Sequence, residues 1–188
     1  LDIEAEVSKI ISPVYLIGGS VRDGILGGTP KDYDFATPLL PDEVEERVKR
    51  SGKRANLKGK RFGTIGFSVA GQFVEITTFR SETYTPGSRK PKVMYVSNIA
   101  QDLGRRDFTF NAIASQKGRA IDPFGGKADI EARLIKAVGN PADRFREDPL
   151  RMLRAARFAS QLEFDVDPAT EKAATKKAYH ILDVSRER

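Results

Sequence analysis

The 188-residue chain has no cysteine, a single histidine and no apolar run near the ~20 residues that a membrane-spanning helix needs. Without cysteine, neither a disulfide framework nor a thiolate metal site can be built. His180 alone rules out a histidine-cluster metal centre, and as a lone residue it reads as a helix-surface side chain. The metal class left open is a hard cation held by oxygen, with Mg²⁺ as the expected ion. The first ten residues, LDIEAEVSKI, are too acidic and polar for a secretory signal, so a cytoplasmic protein with no membrane partner is expected. Opening at Leu1 points to a trimmed chain or trimmed numbering. Against these absences stand 32 basic and 26 acidic residues, a formal charge of +6 that favours a polyanionic partner without deciding it. The length suffices for one good core, or for one domain and the start of another.

What is present is organised around Gly18 to Asp34. An apolar run, Val14 to Ile17, predicts a buried strand that enters Gly18-Gly19-Ser20. A short helical pattern (Val21, Ile25, Leu26) follows, Gly27 to Pro30 breaks it, and Lys31 to Ala36 turns extended again. Glycines at a strand-to-helix junction let a phosphate approach the backbone, and Ser20 is placed to cap the helix. Asp32 and Asp34 lie two apart on the second strand, so their side chains share a face, with backbones about 6 to 7 Å apart. Two such carboxylates can share a pair of Mg²⁺ ions spaced roughly 3.5–4 Å. In this order the pieces describe a metal-and-triphosphate site.

An amphipathic helix is expected over residues 1–12, and another from Pro41 to about Ser51. Gly63 to Arg80 alternates as a hairpin turning at Gly71-Gln72. On its second strand Glu75 either faces outward into solvent or joins Asp32 and Asp34 as a third carboxylate, with the outward reading slightly ahead. Ser81 to Lys92 is polar, carries Pro86, Gly87 and Pro91, and is expected to be a mobile loop. Asn98 to Gly104 is helical. In Arg105 to Ala112, RRDFTFNA, the arginines are either a solvated pair or neutralise phosphate, with Asp107 accepting from ribose hydroxyls. A hairpin turning at Lys117-Gly118 and a helix from Lys127 to Leu134 follow. At 139 the texture changes from mixed α/β to helical, which places a boundary between domains 1–138 and 139–188.

The helix expected from Asp148 to Leu162, DPLRMLRAARFASQL, has Asp148 as N-cap and Pro149 at its first position. Its apolar residues surround the wheel, the pattern of a buried helix, yet Arg151, Arg154 and Arg157 recur every third position. Buried arginines need anionic partners: either nearby carboxylates such as Glu147 and Asp148, or a ligand. Asp148 and Arg151, three apart, offer an acceptor beside a pair of donors. That pair matches the amino donor and ring-nitrogen acceptor shared by cytosine and adenine, and it opposes the edges of uracil and guanine, where buried groups would be left unpaired.

The strings GGSVRD with DYD, EITTFR, RRDFTFNA, DPFGGKADIEARLI and REDPLRMLRAARF occur in order over roughly residues 14 to 160. They resemble the class II tRNA nucleotidyltransferases: CCA-adding enzymes, their CC-adding and A-adding relatives, and bacterial poly(A) polymerases. The resemblance implies an α/β (α+β) fold, with a polymerase-β-like nucleotidyltransferase head built on a five-stranded mixed sheet, followed by a helical neck. It implies an enzyme that adds C and/or A from CTP and ATP to the 3′ end of tRNA, releasing pyrophosphate, with Mg²⁺ as cofactor. On the matching positions Asp32 and Asp34 would be catalytic and bind the metals. Gly18, Gly19 and Arg22 would lie by the triphosphate, and Arg106, Asp107 and Asn111 would belong to the nucleotide site. Asp148 and Arg151 would read the base, while Arg154 and Arg157 would reach phosphate or brace the helix. Poly(A) addition is the alternative within the class, and a catalytically idle RNA- or nucleotide-binding fragment the alternative outside it. Gly87-Ser88-Arg89-Lys90-Pro91 departs from the acidic residue, basic pair and proline of many members, which leaves the product open. Asp183 to Arg188 resembles the start of a neck helix, so the body and tail that grip tRNA are expected to be missing.

Overall fold

The computed structural model describes residues 2–85 and 91–183. In chain order its elements are α1 (Ile3–Ser8), β1 (Tyr15–Ile17), α2 (Gly19–Ile25), β2 (Tyr33–Thr37), α3 (Pro41–Arg50), β3 (Thr64–Val69) and β4 (Gln72–Thr78). Then come β5 (Arg80–Thr83), β6 (Lys92–Tyr95), α4 (Ile99–Gly104), β7 (Ala114–Gln116), β8 (Arg119–Ile121), α5 (Gly126–Glu131) and β9 (Leu134–Ile135). The remainder is helical apart from one short strand: α6 (Pro141–Glu147), α7 (Leu150–Leu162), β10 (Asp165–Val166) and α8 (Pro168–Lys177).

Six strands, not five, form the main sheet, in the order β3-β4-β2-β1-β7-β8. It is mixed: β2 runs parallel to β4, and the other pairs are antiparallel. The alternation read from the sequence gives β2 and β4 one buried face. Phe35, Val74 and Ile76 pack there with Ile65 and Phe67 of β3, against Ile3 and Val7 of α1 and Val44 and Val48 of α3. Asp34 alternates with Phe35 and therefore points to the opposite face. The β3–β4 turn sits at Ala70-Gly71, one residue before the expected position, because both residues take the positive φ that a two-residue hairpin turn requires. Lys117-Gly118 does the same for β7 and β8.

A second cluster joins the sheet to the helices beyond residue 139. Val21, Phe108, Phe110, Ile113, Ile130 and Ile135 pack with Ala155, Phe158 and Phe164, and β9 pairs in parallel with β10. Three expectations are corrected. Ser81 to Lys92 does not form a plain loop: Arg80–Thr83 and Lys92–Tyr95 pair antiparallel, while 86–90 lie outside the described residues. The first helix is shorter than 1–12, because a break at Lys9 lets Ile11 turn into the core. Helix α7 is not buried all round, since Leu153, Ala156 and Arg157 are exposed, and its buried stripe is Arg151, Met152, Ala155 and Phe158. The expected neck-helix start lies mostly outside the described residues, because 184–188 are among those not described. No helix among the described residues is long and apolar enough to cross a membrane.

Candidate active site

Strand β1 delivers Gly18 to the floor of a polar cleft of about 970 Å³. Gly18 takes φ +65°, a conformation that favours glycine, and an added Cβ would also lie 2.9 Å from Arg106 Nη1 and displace that guanidinium. The cleft gathers Gly18, Gly19, Arg22, Asp32, Asp34, Arg106, Asp107, Asn111, Asp148, Arg151, Arg154 and Arg157. These residues span almost 140 positions of sequence, and the fold brings all of them to one hollow.

Asp32 and Asp34 stand on one wall. Ser20 is not a helix cap; Gly18 occupies that position without a side-chain bond. Instead the Ser20 hydroxyl donates to the Asp32 carbonyl (2.9 Å) and accepts from the Asp34 amide (3.1 Å), tying α2 to the strand that carries both carboxylates. Burial in the cleft pushes the Asp34 carboxyl above its ordinary pKa; Arg106 opposes that shift and the like charge of Asp32 adds to it. Glu75 is exposed and lies in register with Asp34 on the neighbouring strand, so the two share a face. Its carboxyl is also raised, chiefly by desolvation and then by Asp34 and Asp32. Among the described residues no group of three carboxylate or histidine side chains closes to metal-holding geometry, so the site brings together two acids and leaves Glu75 beside them.

The facing wall is a network of guanidinium groups. Arg22 Nη1 donates to Asn111 Oδ1 (3.0 Å), and its other nitrogens hold Asp23. Asn111 Nδ2 reaches Asp107 Oδ1 (3.4 Å), and Arg154 Nε donates to Asp107 Oδ2 (2.6 Å). Asp107 Oδ1 also accepts from Phe108 N (2.9 Å) and Oδ2 lies 2.6 Å from Arg154 Nη2. These four contacts use the carboxylate's acceptor capacity. Asp107 thus holds Arg154 and Asn111 in place. Phe158 collects three guanidinium groups over its ring, from Arg22 (5.4 Å), Arg154 (5.3 Å) and Arg157 (5.1 Å).

Arg105 lines the cleft, but its charge is answered by carboxylates rather than by solvent. It holds Asp102 Oδ1 (2.9 Å) and Glu82 Oε1 (2.9 Å), while its carbonyl accepts from Arg151 Nη2 (3.0 Å). Arg106 reaches Asp102 Oδ2 (3.4 Å) and the Asn111 carbonyl (3.4 Å), and its Nε is buried without a hydrogen-bond acceptor among the described residues. Arg151 is buried; Nη1 bonds Glu147 Oε2 (2.8 Å) and the Arg144 carbonyl (3.4 Å). Asp148 Oδ1 accepts from Leu150 N (3.1 Å), so it does cap α7, two residues before the formal helix start and one before the formal cap, Pro149. Sequence reasoning missed Asp102 and Glu82 as the anchors of this wall. Asp102 precedes Arg105 by three residues and Arg106 by four, a helical ion-pair spacing that carries the signal; Glu82 carries none.

The fold resembles solved structures closely. A Bacillus stearothermophilus CCA-adding enzyme in complex with CTP superposes with TM-score 0.87 at 37% identity, over 98% of this chain and 46% of that one. A tRNA nucleotidyltransferase complexed with a primer tRNA and an incoming ATP analog gives TM-score 0.74 at 30% identity, over 96% of this chain and 51% of that one. The CCA-adding enzyme of Levilactobacillus brevis is 47% identical over 176 residues, covering 93% of this chain and 43% of the relative. The chain therefore spans about half the length of the relatives it matches. Residues 14–136, which carry the sheet and the carboxylate wall, match the family described as the poly A polymerase head domain, and the chain belongs to that family.

Proposed function

We propose that the chain carries the catalytic site of a template-independent nucleotidyltransferase that adds C and A, from CTP and ATP, to the 3′ end of tRNA. Residues 1–138 form its head and 139–188 the beginning of its neck. The observation that carries this reading is the single cleft uniting two adjacent carboxylates with the Arg22, Arg106 and Arg154 guanidinium groups and the Asp148/Arg151 pair. Like-named relatives that bind CTP, an ATP analog and primer tRNA support it.

Nucleotidyltransferases of this family use a divalent metal ion. The donor set fits one: Asp32 and Asp34 are hard oxygen ligands without an ion pair among the described residues, and Asp34 is raised chiefly by desolvation and less by the Asp32 charge. Held by these two residues, Mg²⁺ would supply activation of the RNA 3′-hydroxyl and charge neutralisation on the departing pyrophosphate. Arg106 and Arg22, beside Gly18 and Gly19, are the groups placed to face the triphosphate. The orphaned Arg106 Nε is a donor for which the described residues provide no acceptor. Arg151 is fixed on three sides by Glu147 and the carbonyls of Arg105 and Arg144. Of its five donors, Nε–H and one Nη2–H remain to meet a base edge. Asp148, held by the Leu150 amide, supplies the acceptor beside them.

The test is single-turnover incorporation of each nucleoside triphosphate into tRNAs ending at successive 3′ positions, in the full-length protein and its Asp148→Ala variant. The unsubstituted enzyme is expected to take CTP and ATP and to stop at CCA. The variant should lose selectivity against UTP and GTP by about 1–3 kcal/mol per lost contact. A lowered melting temperature with unchanged nucleotide ratios would reduce Asp148 to a helix cap. The family's description as a poly A polymerase head favours poly(A) addition as the second reading; long A tails instead of a defined stop would select it. Absence of any incorporation would leave a nucleotide- or RNA-binding module.

A further inference from the structure

Phe158 lies where cations from two separate elements meet. Its ring is buried at the margin of the second apolar cluster, perpendicular to Phe110 (5.2 Å, 85°) and Phe108 (6.0 Å, 87°). Those two rings stack on each other and are fully buried. Close packing of this kind leaves the Phe158 ring one position to occupy. Against it lie Arg22 from α2 and Arg154 and Arg157 from α7, with guanidinium carbons 5.4, 5.3 and 5.1 Å from the ring centre. Arg22 also lies 5.9 Å from the Phe110 ring. Three like charges therefore share one small volume.

Carboxylates answer these charges only in part. Arg22 holds Asp23 (2.7 Å) and Arg154 holds Asp107 (2.6 Å). Arg157 has no ion pair among the described residues, and the ring is what its guanidinium lies against. The two kinds of partner act differently. A carboxylate takes N–H donors and cancels the charge it holds. The face of an aromatic ring attracts a cation through its quadrupole and leaves the net charge in place. An aliphatic side chain would fill the same volume in the apolar cluster and offer the cations nothing. All three guanidinium-bearing residues line the polar cleft with Gly18 and Gly19.

We propose that Phe158 is a positioning residue for the polyphosphate arm of the incoming nucleotide. Its ring holds Arg22, Arg154 and Arg157 together before the ligand arrives. Arginine side chains are rich in rotamers, so gathering them in advance removes an ordering cost from the binding step. The proposal rests on the nucleotidyl-transfer reading above, which names a nucleoside triphosphate as the ligand. A single phosphate brings less charge to three guanidinium groups than a triphosphate does. The ring therefore acts mainly on ligands with the longer anion. Selection of the base lies with Asp148 and Arg151 on the same reading, and the ring does not enter it.

The test replaces Phe158 of the full-length protein with mono-, di- and trifluorophenylalanine, which drain the ring's negative face and keep its shape. Calorimetry then follows the binding of CTP, inorganic tripolyphosphate and CMP, with Mg²⁺ and without RNA. Affinity for CTP and for tripolyphosphate should fall stepwise with each fluorine, reaching about 2- to 30-fold, the span of a cation–π contact from exposed to desolvated. CMP affinity should stay within about 2-fold, and the melting temperature should hold across the series. Phe158→Leu, which keeps apolar bulk without a π face, should weaken CTP at least as much as the trifluorinated ring. Its preference for CTP and ATP over UTP and GTP should be retained. A flat fluorine series overturns the proposal even if Phe158→Leu binds CTP poorly, because shape then explains the ring. Losses that are equal for CTP and CMP, or that track a falling melting temperature, overturn it as well. So does an unsubstituted protein that binds CTP no more tightly than CMP. Flat binding in a protein that still extends tRNA sinks this proposal alone. A full-length protein that incorporates no nucleotide sinks the reading beneath it, and this proposal with it.

Discussion

On one wall of the cleft Asp32 and Asp34 face the hollow without an ion pair among the described residues, while on the other Arg105, Arg106, Arg151 and Arg154 each hold a carboxylate. The acids are held by their backbone alone, through Ser20. The guanidinium groups are held by their side chains, through Asp102, Asp107, Glu82 and Glu147. The difference follows from what each wall must do. The two acids stay unpaired, and desolvation with a smaller like-charge effect raises Asp34, so on the reading proposed above their charge is directed at a cation. Buried arginines without counter-charges would be too costly to fold, so they are answered internally and present only their leftover donors. On the reading proposed above, the first wall would receive a cation, while the second fixes a geometry.

Substitutions on the two walls should therefore separate activity from stability. The largest effect is expected at Asp32→Asn and Asp34→Asn. Each should reduce turnover by 10³-fold or more, on the order of 4 kcal/mol of transition-state stabilisation. Each should leave the metal-free melting temperature equal or higher, because a crowded like charge is removed. A lowered melting temperature that accounts for the lost activity would break the contrast.

Asp102→Asn should do the reverse. The buried Asp102 accepts from the Arg80 amide and holds both Arg105 and Arg106. Leaving those charges unanswered should cost about 3–5 kcal/mol in a urea titration. A loss below about 1 kcal/mol would mean that Glu82 alone suffices for Arg105 and that the second wall is less interlocked than its geometry implies.

The smallest effect is expected at Ser20→Ala, which removes the tie between α2 and β2. Stability should fall by about 1–2 kcal/mol for the two hydrogen bonds, with a larger fractional fall in kcat than in nucleotide affinity because the carboxylates lose their register. Equal falls in both would show that Ser20 supports the fold and not the position of the acids.

Much of this arrangement is legible in the linear chain. Gly18 before a short helix, the Asp32/Asp34 spacing and the every-third-residue arginines of α7 are local patterns. Local patterns survive folding because strand alternation and helical pitch set them. The same holds for the Lys117-Gly118 hairpin, for the β3–β4 hairpin to within one residue of its turn, and for the face that Phe35 buries. Asp148 at the start of α7 is a further case, since a cap depends only on the next few amides.

Partners across the fold are another matter. Nothing in the chain ties Glu82 to Arg105, Asp107 to Arg154, or Ser20 to the backbone of Asp32 and Asp34. The polar stretch after Phe79 has no periodicity, and it becomes a hairpin only because Arg80–Thr83 finds Lys92–Tyr95. Glu75 shows the division most clearly. Its alternation within β4 was readable, but the parallel register that sets it beside Asp34 depends on how β2 and β4 align. Sequence determines which face a side chain takes and which charges exist, because those depend on neighbours within a few residues. Tertiary structure decides which charges are answered and which stay open, because a hydrogen bond or ion pair depends on a few ångströms between residues that may lie dozens of positions apart.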